Sequence, residues 1–414
     1  MEITAPVGSF ESLLAAIQGG ADSIYFGAGN LNMRSRSSFN FSLDDISEIT
    51  KICKEKKLRT YLTLNAIIFD QELEEMKRIA DAAKQAGVDA IIASDVAVLE
   101  YLSSIEMETH ISTQCNITNI EAVKFYSRWA NVMVTARELS LGQIKKITDS
   151  IREQNICGPS GKPVQIEIFA HGALCMAVSG KCYLSLHTQK NSANRGACYQ
   201  TCRRSYIVKD KDDGTELEIE NEYIMSPKDL CTIGFLDLIA QAGVSVLKIE
   251  GRGRSPEYVK ETTACYHEAV NALNDGSFNK EKTEEWTKRL STVFNRGFWD
   301  GYYLGQTMGE WSERYGSSAT RRKIFLGKVT NYFSKLGVAE IQLETLFLEP
   351  GETVMIIGPS TGVVETEVKE IRLDKDAIPR AVKGDRMAMP VSQIVRKSDK
   401  VYKIVDWSPF DDEE

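Results

Sequence analysis

The chain has 414 residues, 43% hydrophobic and 26% charged, which is ordinary globular composition with enough length for a large core and more than one domain. Its net charge of −8 argues against a protein that coats nucleic acid nonspecifically, although it is compatible with a local basic surface. The first residues lack the basic flank and apolar run of a signal peptide, and no apolar run is long enough to span a membrane, so we expect a cytoplasmic protein. In a reducing compartment the nine cysteines are better read as ligands or reactive thiols than as disulfides.

The first 265 residues or so alternate short β-rich runs with amphipathic helical stretches. The candidate strands read EITAPV, DSIYFG, RTYLTLNAI, DAIIASD, METHIST, NVMVTAREL, VQIEIFAH and VSVLKIEG. Candidate helices such as FESLLAAIQGG lie between them, with apolar residues three and four apart and glycine at several of their ends. These units favour an α/β fold, a closed (β/α)8 TIM-like barrel over residues 1–282, rather than an open doubly wound sheet.

After the seventh strand the regular alternation breaks off. Residues 171–229 form a long insertion that begins with a cysteine-bearing loop and ends in SYIVKDKDDGTELEIENEYIM, where DDG predicts the turn of a β-hairpin. Loops of this length in a compact domain are usually functional or are stabilised by something other than a core. A metal centre would stabilise this one.

The C-terminal part of the chain has a different pattern. Residues 283–320 predict a helical and aromatic connector, and residues 321–414 consist of short alternating strands with Gly and Pro turns, which predict a small antiparallel β-barrel. From residue 321 to 404, fifteen Lys and Arg face eleven Asp and Glu, so this part carries about +4 in a chain of net −8. Basic charge is therefore concentrated in residues 321–404.

Polar residues follow nearly every predicted barrel strand, at the face where this fold carries its active sites. We take as candidate catalytic groups Glu167, His171, Lys248 and Glu250, and as candidate substrate-binding groups Arg34, Arg36, Asn65, Gln114, Arg137 and Arg252. So many arginines predict a site for an anion with carboxylates or phosphates, since guanidinium groups bind both bidentately. A solvated rim without function explains any single one of these residues equally well.

Four cysteines of the insertion share a spacing that suggests a metal site. Cys175, Cys182, Cys198 and Cys202 form the pattern C-x6-C-x15-C-x3-C. A structural zinc site usually pairs its cysteines two to four residues apart, which only the second pair satisfies, whereas an iron–sulfur cluster takes four thiolates at looser spacing. The pattern favours an iron–sulfur cluster over zinc and over unliganded thiols, with Cys231 as the one plausible substitute ligand.

A cysteine peptidase is the alternative interpretation of the same loop. Cys175 would be the nucleophile and His171 its base, since such a thiolate needs an imidazole partner. His171 stands four residues before Cys175, and that spacing alone does not establish hydrogen-bond reach. The H-E-x-x-H motif of metalloproteases does not occur in the sequence.

The run EIFAHGALCMAVSGKCYLS, followed by CYQTCRRSY, EYIMSPKDL and KIEGR, resembles the signature regions of the collagenase-like peptidase family over most of the chain. Several members of that family look like iron–sulfur proteins of oxygen-independent hydroxylation, and one branch supports 5-hydroxyuridine formation at the tRNA wobble position with prephenate. The resemblance implies a 4Fe-4S cluster on Cys175, Cys182, Cys198 and Cys202, tRNA as a partner, and the dicarboxylate prephenate as co-substrate at the arginine-rich rim. The basic C-terminal barrel would then be placed to contact tRNA phosphates.

Overall fold

The computed structural model describes residues 1–36, 40–207, 209, 211–214, 225–312, 316–374 and 376–408. Its first sheet contains the strands β1 (Glu2–Val7), β2 (Ser23–Phe26), β3 (Arg59–Leu64), β4 (Ala90–Ala93), β5 (Thr109–Ile111), β6 (Val132–Val134), β7 (Gln165–Ala173), β8 (Asp229–Cys231), β9 (Val246–Ile249) and β10 (Phe298–Trp299). Strands β1 to β7 and β9 pair in parallel, each with the next, and β9 pairs back with β1. The predicted closed (β/α)8 barrel is therefore confirmed.

Helices alternate with these strands, and all except the short helix Leu184–Gln189 of the insertion cover the outside of the barrel. They are α1 (Phe10–Gln18), α2 (Asp45–Glu55), α3 (Leu73–Ala86), α4 (Val96–Ser104), α5 (Ile120–Tyr126), α6 (Leu141–Glu153), α7 (Leu184–Gln189), α8 (Leu236–Gln241), α9 (Pro256–Asp275) and α10 (Lys280–Ser291). Their ends follow local chemistry: the Ser9 hydroxyl accepts from the Ser12 amide at the start of α1, and α3 stops at Gly87, whose φ of 73° suits glycine. No helix in the described ranges has the length and apolar character needed to cross a membrane.

The barrel strands are buried on both faces, which is why they read as near-continuous apolar runs. Every residue of β2 and of β4 is buried. The outward faces pack against the helices in one large core, while a smaller cluster fills the barrel interior with Tyr25, Tyr61, Ala90 and Ile92. A filled interior leaves the mouth of the barrel as the place for a cavity.

The insertion starts and ends at this mouth. Strand β7 is nine residues long, and β8, after the insertion, pairs antiparallel with its far end, so that His171 lies opposite Cys231. Strand β10 adds on to β8. Residues 208, 210 and 215–224 are outside the described part of the chain, and the predicted hairpin therefore lies outside it as well. We call residues 174–207, which are described throughout, the cysteine loop.

The C-terminal part folds around a core of its own. Its strands are β11 (Arg321–Phe333), β12 (Val338–Leu343), β13 (Phe347–Leu348), β14 (Thr353–Gly358), β15 (Gly362–Glu367), β16 (Arg372–Leu373), β17 (Asp376–Ala377), β18 (Ala381–Val382), β19 (Arg386–Pro390) and β20 (Lys400–Asp406). All pair antiparallel, as predicted, in one eight-stranded and one two-stranded sheet. Its core includes Leu326, Ile341, Val354 and Met387, all inaccessible to solvent.

This C-terminal domain is fixed against the outside of the barrel. Both polar atoms of the Gln18 side-chain amide bond to backbone of the domain: Nε2 donates to the Thr361 carbonyl and Oε1 accepts from the Val363 amide, at 2.9 Å each. The predicted connector also packs into the barrel, because Trp286, Trp299 and Tyr303 are buried in the barrel core. Helix α10 already starts at Lys280, so the predicted boundary at residue 282 falls inside a helix.

Candidate active site

A cavity of about 300 Å³ lies at the mouth of the barrel, between the strand ends and the cysteine loop. The strand ends contribute Arg34, Asn65, Gln114, Arg137, Lys248, Glu250 and Arg252, and the loop contributes Cys175, Cys182, Cys198 and Cys202. The structure thus brings all four candidate ligands and seven of the ten predicted rim residues to one cavity. Strand ends that are far apart in sequence meet here because a closed parallel barrel gathers them on one face.

A carboxylate held by arginine forms the centre of the cavity floor. Glu250 accepts from Arg34 Nη2 at 3.0 Å, and the Tyr25 hydroxyl lies 3.2 Å from its other oxygen. Burial acts to raise the pKa of Glu250, but Arg34 and the nearby arginines outweigh it and hold that pKa below its ordinary value. Glu250 is therefore ionised at neutral pH and keeps Arg34 in place.

Two further arginines border the same space. Arg252 is only 7% exposed and donates to Thr63 Oγ1 at 2.8 Å, and burial lowers its pKa to about 10, so it stays a cation at neutral pH. The Arg137 guanidinium stacks 3.8 Å from the centroid of the Phe169 ring and donates from Nη1 to the Ala173 carbonyl, while its buried Nε has no partner among the described residues. Both groups are held by neutral partners, which leaves their charge available to a ligand.

A buried ion pair supports the floor from below. Lys248 Nζ donates to Glu167 Oε1 at 2.7 Å, and both side chains are almost fully buried. Burial raises the pKa of Glu167, while Lys248 acts to lower it. Lys248 borders the cavity, whereas Glu167 is not one of the described residues that line it. The three floor arginines, Lys248 and the carboxylates of Glu250 and Glu167 together carry a net charge of +2, which a dianion would neutralise.

Hydrogen bonds join the remaining polar groups of the floor. Asn65 Nδ2 donates to Ser112 Oγ at 3.1 Å and to Gln114 Oε1 at 3.2 Å, and Ser112 Oγ also bonds to Gln114. This network holds the side chains from the third and fifth strand ends in one orientation. It presents amide groups beside the arginines, which suits a ligand with both ionic and neutral polar atoms.

The second half of the cysteine loop is anchored by polar contacts and one close backbone approach. Arg195 forms an ion pair with Glu72 and lowers the pKa of that carboxyl. Arg203 donates to the Pro227 carbonyl at 2.7 Å and to the Leu174 carbonyl. At Gly196, φ is 80° and an added Cβ would lie 2.5 Å from the Asn32 carbonyl oxygen, so only glycine fits this approach. These contacts place the thiols over the floor.

The four thiols form a donor set that fits a thiolate-bound cluster. Burial raises the pKa of Cys202, Arg203 opposes it, and Cys175, Cys182 and Cys198 raise it further, so the four sulfurs are close enough to influence each other. All four are free of disulfide bonds. In the described part of the chain, however, no three His, Cys, Asp or Glu side chains are already arranged to hold a metal ion. Cys175, Cys182, Cys198 and Cys202 are the residues that would hold a cluster.

Besides Glu167, the predicted residues His171 and Arg36 do not line the cavity. His171 sits inside β7, 1% exposed, with its ring packed against Tyr258, Tyr266 and Phe298. No hydrogen bond connects it to Cys175 in the described structure, so the predicted dyad is not formed. Arg36 is exposed and donates to Asn191 Oδ1 of the cysteine loop at 3.1 Å rather than facing the floor.

Cys231, the alternative ligand, is also remote from the thiol set. It is 8% exposed in β8, and burial raises its pKa to about 12.

Two cavity residues, Tyr25 and Phe169, were not predicted from the sequence, and they line the cavity from within β2 and β7. The side-chain alternation of a β-strand could have identified Phe169. Residues i and i+2 of a strand face the same side, and Phe169 is two residues after Glu167.

Comparison with known proteins places the chain in a family. The family model described as peptidase family U32 matches residues 8–313. The chain belongs to this family. Among its U32 relatives, a protein of Porphyromonas gingivalis named "Collagenase" is 56% identical over 97% of both chains.

Two other U32 relatives carry names of a different kind. A Bacillus subtilis "tRNA hydroxylation protein P1" is 29% identical over 88% of this chain and 86% of its own length. An Escherichia coli "23S rRNA 5-hydroxycytidine C2501 synthase" is 38% identical over 75% of this chain, which corresponds to 46% of that protein. The names of these relatives therefore point to two chemistries, proteolysis and RNA hydroxylation.

Proposed function

We propose that this U32 protein is an RNA-modifying enzyme that takes part in the 5-hydroxylation of a tRNA wobble uridine. Cys175, Cys182, Cys198 and Cys202 would hold a 4Fe-4S cluster, and the arginine-lined floor would bind a small dicarboxylate, prephenate, as the source of the hydroxyl group. The observation that carries the proposal is that four thiols and a floor of net charge +2 face one cavity of about 300 Å³. Relatives named for tRNA and rRNA hydroxylation support the choice of substrate class.

The residues of the cavity suit distinct tasks in such a reaction. Arg34, Arg137 and Arg252 would orient the carboxylates of the dicarboxylate by charge-assisted hydrogen bonds. Lys248, paired with Glu167, would donate a hydrogen bond at the edge of the reacting space, and ionised Glu250 would accept a proton. When bound, the cluster would supply one-electron redox chemistry on the side of the cavity that the cysteine loop forms. The target uridine must leave its stack to reach this floor.

The peptidase alternative rests on the name of the most similar relative reported above and on the exposed thiol of Cys175. Against it stands the position of His171, whose ring faces three aromatic side chains in the barrel wall. Burial lowers the pKa of His171 to about 4, so a proton taken from a thiol at neutral pH would be poorly held there. The geometry thus favours the hydroxylation proposal.

Anaerobic purification together with nucleoside analysis tests the proposal. We expect a brown protein with about four irons per chain, and we expect tRNA from a deletion strain to lack 5-hydroxyuridine until the wild-type gene is returned. A colourless protein whose peptide-cleaving activity is abolished by a thiol alkylator would instead establish the peptidase. Loss of a hydroxylated nucleoside from rRNA, with tRNA unchanged, would redirect the proposal to the ribosome.

A further inference from the structure

The cysteine loop and its flanks have an unusual charge composition. From Ile168 to Lys209 the sequence contains six Lys and Arg and not one Asp or Glu, although the whole chain has 58 acidic and 50 basic residues. A stretch without acids produces a positive potential that its own sequence does not neutralise. This stretch covers the cavity mouth, where a macromolecular substrate has to arrive.

Three of these cations point into solvent without an acidic partner. Lys181, Lys190 and Arg204 are exposed, and none of them forms an ion pair with an acid in the described ranges. The two other loop arginines are used internally, Arg195 by Glu72 and Arg203 by backbone carbonyls. The loop therefore separates its anchoring cations from cations that are available to a partner.

Exposed aromatic side chains lie between these cations. Tyr183 is 70% exposed and directly follows Cys182, and Tyr199 is 41% exposed and directly follows Cys198. Two tyrosines beside cavity-lining cysteines provide flat surfaces on which bases can stack at the entrance.

We propose that the loop face, defined as Lys181, Tyr183, Lys190, Tyr199 and Arg204, is the primary RNA-binding surface of this protein. The inference rests on the proposed function and identifies the part of the chain that binds the RNA. The three cations would bind phosphates, and the two tyrosines would stack on unpaired bases, so the preferred partner is a single-stranded RNA loop rather than a duplex. The segment that carries the thiols would thereby also deliver the target base to the cavity.

The C-terminal domain fits this task less well, although residues 321–404 contain fifteen Lys and Arg against eleven Asp and Glu. Its cations alternate with acids and several form ion pairs, among them Arg372 with Glu370 and Lys328 with Glu344. The domain packs against the outside of the barrel through Gln18 rather than over the mouth. A contact there would add affinity but would not position a base over the thiols.

Salt-dependent tRNA binding by two matched variants tests the inference. One variant removes three charges from the loop face, K181Q/K190Q/R204Q, and the other removes three exposed charges from the C-terminal domain, K383Q/R386Q/K397Q. With cluster-loaded full chain and unmodified tRNA, we expect the loop variant to lose roughly tenfold to a hundredfold in affinity at ~0.1 M salt, with a shallower salt slope by about 2. We expect the C-terminal variant to bind within roughly threefold of wild type.

A second pair of variants tests stacking without a change in charge. Tyr183→Leu with Tyr199→Leu should weaken binding of an unpaired RNA loop by roughly fivefold or more, and should leave binding of duplex RNA unchanged. Iron content, measured on each sample, should equal that of wild type. An equal loss for loop and duplex would contradict the stacking role.

The outcomes separate this inference from the function on which it rests. If wild type binds tRNA and the loop variant binds equally well while the C-terminal variant loses affinity, the loop face is overturned and the proposed function stands. If wild type contains its cluster but neither binds nor modifies RNA, the proposed function fails and the loop face fails with it. Loss confined to the loop variant, with iron retained, supports both.

Discussion

The cysteine loop and the C-terminal domain are both rich in basic residues, yet they are stabilised in different ways. The C-terminal domain has antiparallel ladders, a closed apolar core and ion pairs such as Lys403 with Glu352. The cysteine loop has one short helix, α7, and is held by a few polar anchors at Arg195 and Arg203. The first region can be stable by burial alone, whereas the second would depend on the cluster that we propose it holds.

This difference shows why a count of charges does not locate a binding surface. The C-terminal strands carry more cations in total, but their own acids lie among them and screen the field. The loop carries fewer cations without acids, directly over a cavity. A polyanion is attracted to a surface whose cations lack neighbouring acids, and the net charge summed over a whole domain does not identify that surface.

The largest expected effect concerns the four thiols. Replacing any one of Cys175, Cys182, Cys198 or Cys202 with Ser should abolish iron binding and loosen the loop, because the ligand cage would be part of the loop's fold. The C-terminal domain, with a core of its own, should be unaffected. Iron and sulfide analysis of anaerobic samples, with limited proteolysis of the loop, measures both effects.

The matched control for these variants is Cys231→Ser, which changes a thiol of the buried wall. It should retain the iron content of wild type. Full iron in Cys202→Ser together with loss in Cys231→Ser would show that the ligand set is assigned wrongly.

Backbone packing offers a sharper test of the same contrast. In Gly196→Ala the new Cβ would meet the Asn32 carbonyl at a φ of 80°, so we expect the loop to shift and most of the iron to be lost. In Gly327→Ala the Cβ would meet the Gln342 carbonyl between β11 and β12, so we expect a lower melting temperature with iron retained. Gly234→Ala, where nothing lies within 4 Å, is the neutral control.

Much of the site could be predicted from the sequence, because a closed barrel brings the residues that follow each strand together at one face. Once eight βα units were recognised, the residues after each strand had to meet at one face, and Asn65, Arg137 and Glu250 do so. The spacing of the cysteines marked the loop independently. Both predictions rest on the spacing of residues that are near each other in the sequence, so they can be made without knowledge of the tertiary structure.

The predictions fail for residues whose position depends on where a strand ends and on which way the chain turns after it. Strand β7 continues to Ala173, and β8 pairs with its end, so His171 lies inside the sheet instead of after it. Arg36 comes two residues after Arg34, yet one faces the floor and the other faces the loop. Such outcomes depend on tertiary contacts that no short pattern encodes.

The floor arginines should give a smaller effect than the thiols, confined to the small ligand. Arg34→Gln or Arg252→Gln removes a charge-assisted bond and should cost about 1.5–3 kcal/mol in binding of a dicarboxylate. Arg36→Gln, outside the cavity, is the matched control and should bind it as wild type does. Calorimetric titration with prephenate measures all three, and equal affinities throughout would remove the anion site.

The smallest effect concerns the response of the barrel to acid, which the C-terminal domain should not share because all four histidines lie before residue 268. Burial lowers the pKa of His171 to about 4, assisted by Arg254 and opposed by Asp229, from about 6.5 in an unfolded chain. Between these values the unfolded state binds a proton that the folded state does not, so stability falls as the pH drops from about 6.5 to about 4. At pH 5 this contribution is on the order of 2 kcal/mol.

Urea unfolding of the apo full chain at pH 7.5 and at pH 5 measures this contribution. His171→Gln lacks the titrating group, and its loss of stability between the two pH values should therefore be smaller than that of wild type by about 2 kcal/mol. His187→Gln, a change in the exposed part of the cysteine loop, should keep the pH response of wild type. If His171→Gln and wild type lose the same stability, His171 is not held neutral in the barrel wall, and the strongest structural argument against a peptidase dyad disappears with it.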